Sequence, residues 1–271
     1  MIYYLVTRPH AYTVAAFVQG WGSALAGRIL VAPYDGLFAG NALPQGGTYV
    51  FADLDRLSAD ERERLVPVRD GLRGRVLNDP RRSLLRYELL RQLHGRGVNA
   101  FGVWRRGETP ARQPVFLRPE AGFLRTAPPL QAAVPVIPEG QLAVEFCDTA
   151  DAAGVYRKYG AYVVGERIVP RHVFFSRDWL VKSADLRDPG YLAEELDYVR
   201  GNPHAAALLE VCRLAHVQWG RVDYSLLDGR IQVWEINTNP LFVLPGIADG
   251  RDEVHRLSAR GIVEALLALE R

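Results

Sequence analysis

Cysteine is scarce in this chain: Cys147 and Cys212 are the only two in 271 residues, with no CxxC spacing and no histidine cluster near either. That excludes a disulfide framework and a structural zinc site, and two buried free thiols are expected instead. An excess of either charge is also lacking. The 33 Lys and Arg stand against 31 Asp and Glu, a net charge of +2, too little to draw the chain to nucleic acid or an acidic membrane surface. No stretch approaches the roughly 18 apolar residues that span a bilayer, and the opening MIYYLVTRPHAYTVAAF has no basic leader region. A cytoplasmic location is therefore expected, with neither nucleic acid nor membrane as partner. Internal repeats and low-complexity tracts are missing too. What remains is a chain that is 48% hydrophobic, enough to fill the core of two small domains or one larger unit.

Three β-type runs come first, at 2–8, 27–34 and 48–54, the last followed by the charged helical stretch SADERERL. Alternating strands and helices predict a small α/β domain. A turn at Asn78-Asp79-Pro80 sets the domain boundary near residue 80, giving domains 1–80 and 81–271. Residues 83–97 place leucines at helical spacing and end in glycine, as an amphipathic helix does. NAFGVWR, PVFLRPE and LAVEFCDT (142–149) then read as strands, with a proline-rich loop or edge over 127–138. Residues 156–176 read as a hairpin turning at Gly165-Glu166, because β-branched and aromatic residues flank those two on both sides. A helix around 204–217, a second hairpin over 219–240 and a C-terminal helix over 252–270 complete the order.

That second hairpin, WGRVDYSLLDGRIQVWEINTNP, carries three oxygen donors: Asp223, Glu235 and Asn237. Mg²⁺ takes such ligands, one or two carboxylates completed by phosphate oxygens and water. Glu235 and Asn237 are two apart and share a strand face. Asp223 joins them only if the turn has the right parity. A two-residue Asp228-Gly229 turn sends it to the opposite face, whereas a three-residue Leu227-Asp228-Gly229 loop brings it round, so metal binding predicts an odd loop. Without a metal the same residues describe an exposed polar face of a hairpin. Arg221, two residues before Asp223, is either a plain salt-bridge partner or a holder of a transferred group or oxyanion.

The G-R-x-D, strand, turn, E-x-N-T-x-P layout of this hairpin resembles the closing strands of ATP-grasp ligases, particularly D-alanine:D-alanine ligases and ribosomal-protein glutamate ligases. The resemblance implies an α/β (α+β) ATP-grasp fold with a small N-terminal α/β domain preceding it, and ATP and Mg²⁺ as cofactors. It implies that Asp223, Glu235 and Asn237 bind the metal and that Arg221 stabilises an acyl-phosphate or tetrahedral intermediate. LAVEFCDT resembles the family's hinge strand, which points to Glu145, Phe146, Cys147 and Asp148 around adenine and ribose; a flat purine suits an apolar slot with a few polar groups. PVFLRPE resembles the strand whose lysine reaches the phosphates, and here the basic residue is Arg118. Arginine keeps the charge while changing the geometry.

The family's glycine-rich lid is not present. Residues 120–130 read EAGFLRTAPPL with one glycine, so a cover over the phosphates is either rebuilt from Arg125 and its neighbours or absent. Further basic residues lie downstream, of which Lys158 is assigned to the nucleotide and Arg171 and Lys182 to catalysis, because strand-flanked cations among apolar residues are poorly explained as surface. His172 reads as a packed core histidine rather than a general base. Together these features predict an ATP-dependent carboxylate-amine ligase acting through an acyl phosphate on an amino acid, peptide or small carboxylate. The alternatives are a kinase on the same fold and a non-catalytic nucleotide-binding scaffold. A homodimer is expected only by analogy with relatives.

Overall fold

A computed structural model describes residues 1–111, 114–134 and 136–270. The first element, β1 (Ile2–Val6), is buried at every position, as a central strand covered on both faces must be. After the short helix α1 (Ala15–Gly20) come β2 (Ile29–Pro33), the short α2 (Tyr34–Phe38), β3 (Thr48–Phe51), α3 (Ala59–Asp70) and β4 (Arg75–Leu77). The four strands form an all-parallel sheet in the order β2-β1-β3-β4. Ser58 starts α3 through a capping box with Glu61, which satisfies two helix-end amides reciprocally.

The predicted turn at Asn78 is a clamp. Asn78 is fully buried and takes the left-handed backbone at φ 58°. Its Nδ2 donates to the Phe51 carbonyl at 3.0 Å and to the Trp219 carbonyl at 2.7 Å, while its Oδ1 accepts from the amides of Gln218 and Trp219. One side chain thus ties the parallel sheet to the backbone at Gln218 and Trp219, 140 positions further along the chain.

The rest of the chain begins with α4 (Arg86–Gly95) and two of the strands of a small antiparallel sheet, β5 (Val103–Arg105) and β6 (Val115–Pro119), completed by β7 (Gln141–Glu145) in the order β5-β7-β6. The predicted strand over 142–149 therefore stops early. Beyond Glu145 the chain leaves the ladder, with the Phe146 amide donating to the Pro114 carbonyl at 2.8 Å. Two hairpins come next, β8 (Tyr156–Val164) with β9 (Arg167–Ser176) and, after α5 (Pro189–Gly201) and α6 (Ala205–Ala215), β10 (Trp219–Leu227) with β11 (Arg230–Asn237). They combine into one antiparallel sheet, β11-β10-β8-β9, and α7 (Asp252–Ala268) closes the chain.

Strand alternation divides this sheet. Tyr159, Ala161, Val163, Val222 and Tyr224 point to one face and pack with Leu89, Leu93, Tyr198 and Leu208 of α4, α5 and α6. The opposite face splits along its length. At one end Tyr162, Val164 and Trp219 join Tyr4, Val6 and Val50 of the parallel sheet and Ile262 and Leu266 of α7, so a single core runs across residue 80. The other end is left open toward the small sheet, and there the polar residues gather. Among the described residues no helix is long and apolar enough to cross a membrane.

Candidate functional site

The hairpin that carries the predicted metal ligands closes through a two-residue turn. Leu227 pairs with Arg230, and Asp228 and Gly229 take positive φ of 50° and 73°, the backbone of a tight type I′ turn. The expected odd loop is therefore incorrect. Parity is restored elsewhere: Tyr224 pairs with Val233 but Asp223 pairs with Glu235, leaving Trp234 as an extra residue in a β-bulge. Asp223 and Glu235 thereby stand directly opposed on one face, and Arg221 pairs with Asn237 in the next row of that face. The bulge is pinned by the Trp234 indole, whose Nε1 donates to Ser225 Oγ at 2.9 Å, while Ser225 donates to the Arg157 carbonyl.

Asp223 is buried and receives two bonds from Arg221, Nε to Oδ1 at 2.6 Å and a second guanidinium nitrogen to Oδ2 at 3.0 Å. Burial disfavours the Arg221 charge, but Asp223 outweighs it and holds the guanidinium pKa above its ordinary value. Lys158 lies 4.0 Å from the same carboxylate and rests over the Phe174 ring. Burial lowers the Lys158 pKa against the pull of Asp223. Glu235 is held by two guanidinium groups, Arg86 at 2.7 Å and Arg118 at 3.2 Å, both on Oε2. Burial pushes its carboxyl up, yet Arg118 and Arg86 together bring it down to about 2. Burial and the neighbouring Arg86 lower Arg118 to about 10. The Nε atoms of both arginines are buried without an acceptor.

These groups stand at the polar end of a cleft of about 750 Å³ between the small sheet and the large one. Of the residues predicted from sequence, Arg118, Phe146, Cys147, Lys158, Lys182, Asp223 and Glu235 all line it. Its other end is an aromatic slot, where Trp179 packs on Phe116 at 4.9 Å and edge-on to Phe146 at 5.6 Å, facing Trp234. A cleft apolar at one end and with few convergent charges at the other has the character of a small-molecule site. Cys147 is half-buried there, and burial pushes its thiol up to about 11, so it contributes contact rather than reactivity.

Five predicted residues stand outside this lining. Glu145 spends its carboxylate on the Gly102 amide at 2.8 Å, holding β7 to the segment before β5. Asp148 is exposed and accepts from the Ala150 amide. Asn237 accepts from the Asn239 amide and lines a second cavity, which shares Glu235 with the first. Arg221 touches the cleft through Asp223. Arg171 is the bulged residue of β9, since Gly160 pairs with His172 and Ala161 with Pro170. Its hydrogen-bond partner is His255, at 3.3 Å, and burial lowers its pKa to about 10 against the influence of Tyr162. Lys182 enters the cleft from the loop after β9, where partial desolvation together with the neighbouring Lys158 lowers its pKa. His172 is buried and stacked on Phe174 at 4.0 Å, as a packed core histidine is expected to be.

Sequence reading missed Arg86, Trp179 and Trp234. Arg86 carried a signal: it occupies the same helical stripe as Leu89, Leu90 and Leu93, all buried, where a cation needs a partner. The segment in the lid position gives the cleft Leu124, while Arg125 is exposed.

No family model matches the chain, and no curated protein matches its sequence. Solved structures do match. The D-alanine–D-alanine ligase of Bacillus anthracis, solved with ATP, superposes with a TM-score of 0.52 at 13% identity over 100% of this chain and 98% of that one. The fold is that of the ATP-grasp ligases. The ATP-grasp ligase PsnB, solved with a variant of its minimal precursor, Mg and ADP, gives a TM-score of 0.55 at 15% identity over 99% of this chain and 97% of that one. The macrocyclase MdnC of Microcystis aeruginosa, bound to its precursor peptide MdnA, gives 0.53 at 14% over 99% and 100%. At these identities the ATP-grasp likeness is one of architecture, and site chemistry rests on the residues described above.

Proposed function

We propose that this chain is an ATP-dependent ligase that joins a carboxylate to an amine. The observation that carries the reading is the opposed pair Asp223 and Glu235, set at the charged end of a cleft whose other end is an aromatic slot. Phe116, Phe146, Cys147 and Trp179 would flank the adenine, and Arg118, Lys158 and Lys182 would meet the phosphates. Asp223, Glu235 and Asn237 would hold Mg²⁺, which supplies charge neutralisation of the phosphates when bound.

The residues fit that ion. Both arginines bond Glu235 through Oε2, so Oε1 is open, and the buried Nε atoms of Arg86 and Arg118 call for anionic acceptors. Among the described residues no three His, Cys, Asp or Glu converge as a cage. Two carboxylates and an amide are the sparse set that suits an ion completing its shell with phosphate and water. In the reaction proposed, a substrate carboxylate oxygen attacks the terminal phosphorus, the bond to ADP breaks, and the acyl phosphate is captured by an amine that releases phosphate and a proton. Arg221 and Arg171 would neutralise the oxyanion, and fixed charges of this kind act by preorganisation.

Titration calorimetry with a non-hydrolysable ATP analogue and Mg²⁺ should show saturable binding. ADP and phosphate release on adding amino-acid or peptide substrates is the expected turnover. Nucleotide binding with no carboxylate and amine pair releasing ADP overturns ligation and leaves a scaffold; a stable phosphorylated product identifies a kinase instead.

A further inference from the structure

Arg171 stands in the β-bulge of β9, and the rows on either side of it lead across the sheet to Arg221 and Asp223. Arg221 pairs with Tyr162 and Tyr162 with Val169; Asp223 pairs with Gly160 and Gly160 with His172. A bulge re-aims a side chain outside the regular ladder, so a long cation placed there needs something to hold it. We propose that His255 is that holder, a positioning residue whose neutral Nε2–H tautomer fixes the Arg171 guanidinium and releases it on protonation. This rests on the ligase reading above, in which Arg171 meets the oxyanion, and makes that role depend on pH.

The partners fix where the proton sits. His255 is buried, and its Nε2 lies 3.0 and 3.2 Å from the two oxygens of Asp249. Burial works against the Asp249 charge, but His255 and Arg251 outweigh it and hold the carboxyl below its ordinary range. Asp249 therefore only accepts, and Nε2 carries the hydrogen. Nδ1 lies 3.3 Å from a terminal nitrogen of Arg171, which only donates, so Nδ1 accepts. Both contacts select one tautomer of the neutral ring. A second proton would sit on Nδ1, facing a guanidinium with no lone pair to receive it, and the bond would become a repulsion between two cations.

The histidine is itself held in a closed ring. Asp249 accepts from Arg251 at 3.4 Å, and the buried Arg251 bonds the buried Glu195 of α5 through Nε at 2.8 Å and through a terminal nitrogen. Glu195 in turn accepts from the amide of Val173 at 3.0 Å. The ring starts on β9 at Arg171 and returns to β9 at Val173, which gives His255 a fixed place relative to the bulge. Protonation is opposed from several sides. Burial and Arg171 lower the His255 pKa below 6.5 against the pull of Asp249, with Arg251 adding to them. His255 is also the fourth residue of α7, where the helix dipole disfavours a cation. On its own helix Asp252, Glu253 and Arg256 line a cavity of about 550 Å³ with it, and there Glu253 is answered by Arg200 and Arg256.

The test is a long-range proton-nitrogen correlation spectrum of the full chain labelled at histidine, followed through a pH titration. The His255 signal is the one of six lost in His255→Asn or, should that variant not fold, in His255→Gln. It should show the neutral Nε2–H pattern at neutral pH and titrate below 6.5. In Arg171→Met the same ring should gain its proton at a pH at least about half a unit higher, because the opposing cation is gone. With any carboxylate and amine pair that releases ADP, kcat should fall in acid as His255 takes up its proton. His255→Leu should lower kcat about tenfold or more with the KM for nucleotide little changed. His255→Asn, whose amide oxygen stands in for Nδ1, should recover most of that loss and lack the acid fall. An Nδ1–H tautomer, an imidazolium at neutral pH, a titration unmoved by Arg171→Met, or full kcat in His255→Leu overturns the positioning role. Absence of ADP release with every pair tells against the ligase reading alone, because the tautomer and the shift are read without substrate.

Discussion

Hairpins β8–β9 and β10–β11 lie side by side in one sheet, each closes through two residues, and each carries one extra residue on its second strand, Arg171 in β9 and Trp234 in β11. Their charges are managed differently. In β10–β11 every charge facing the cleft is answered: Asp223 by Arg221, Glu235 by Arg86 and Arg118. In β8–β9 Lys158 reaches Asp223 only at 4.0 Å, and Arg171 has a histidine rather than a carboxylate for a partner. A balanced acidic pair suits a cation that brings its own anions. A flank with surplus positive charge suits an anion that arrives with the ligand. On the proposed reading the two hairpins would divide the work of holding a metal-bound phosphate, and that division can be attacked from either side.

The largest effect should come from Glu235→Ala, which removes the residue common to both cavities and leaves Arg86 and Arg118 without a carboxylate. Affinity for Mg²⁺ and an ATP analogue should fall at least 100-fold by calorimetry, while affinity for the analogue without Mg²⁺ should fall far less. An equal loss in both conditions would mean that Glu235 acts only by packing its arginines.

Next comes a matched pair of substitutions, Arg221→Met and Arg171→Met. Removing Arg221 strands a buried carboxylate, and breaking such a pair costs about 3 kcal/mol. Removing Arg171 takes away a half-buried cation hydrogen-bonded to a histidine rather than a carboxylate, so urea unfolding should show a change under about 1 kcal/mol or a small gain. Both variants should lose turnover. Equal destabilisation would erase the contrast between the hairpins.

Much of this architecture is legible in the residues. Alternation exposed the hairpins, and the turn at Asn78 marked the clamp. The proposed ligand trio stands in one short segment, so local pattern sufficed to nominate it. The parity of the hairpin was misread because counting from the turn assumes an unbroken ladder, and nothing local distinguishes Trp234 as a bulge from Trp234 as a paired residue. Helix α5 has no counterpart in the sequence reading, although Pro189 at its first position is a favourable helix start. Arg86 reaches Glu235, and Trp179 the cleft, from distant segments through packing, and pairing of that kind has no periodic trace. The second cavity is formed by the ends of β3, α4 and β11, and only the fold brings them together.

Acidification probes the acidic hairpin once the natural chain is compared with Glu235→Gln. The Glu235 carboxyl is depressed from 4.5 to about 2, so its contribution is fully present above about pH 4.5 and is lost as pH falls toward 2. The contribution is on the order of 3 kcal/mol. Denaturation midpoints followed from pH 6 to pH 2 should therefore fall more steeply for the natural chain than for Glu235→Gln, with the two curves converging at the acid end. Parallel curves would show that Arg86 and Arg118 do not lower this carboxyl.

The smallest effect on nucleotide affinity tests the seam between the hairpins. Glu235, Asp223, Gly160 and His172 form one row across the sheet, each paired with the next. Gly160 is the one member without a side chain, and a Cβ there would stand 2.6 Å from both Nε2 and Cε1 of the buried His172 ring. The imidazole is stacked on Phe174 and has little room to yield. Gly160→Ala should cost about 1 to 3 kcal/mol by overpacking, and Gly160→Ala with His172→Ala should recover part of it, because the clash and its cause are removed together. Nucleotide affinity should follow stability only weakly, since Asp223 and Glu235 keep their pairing. If Gly160→Ala instead abolishes nucleotide binding while folding is retained, the gap in the row is itself part of the ligand site, and the division between an acidic and a basic hairpin runs through His172 rather than beside it.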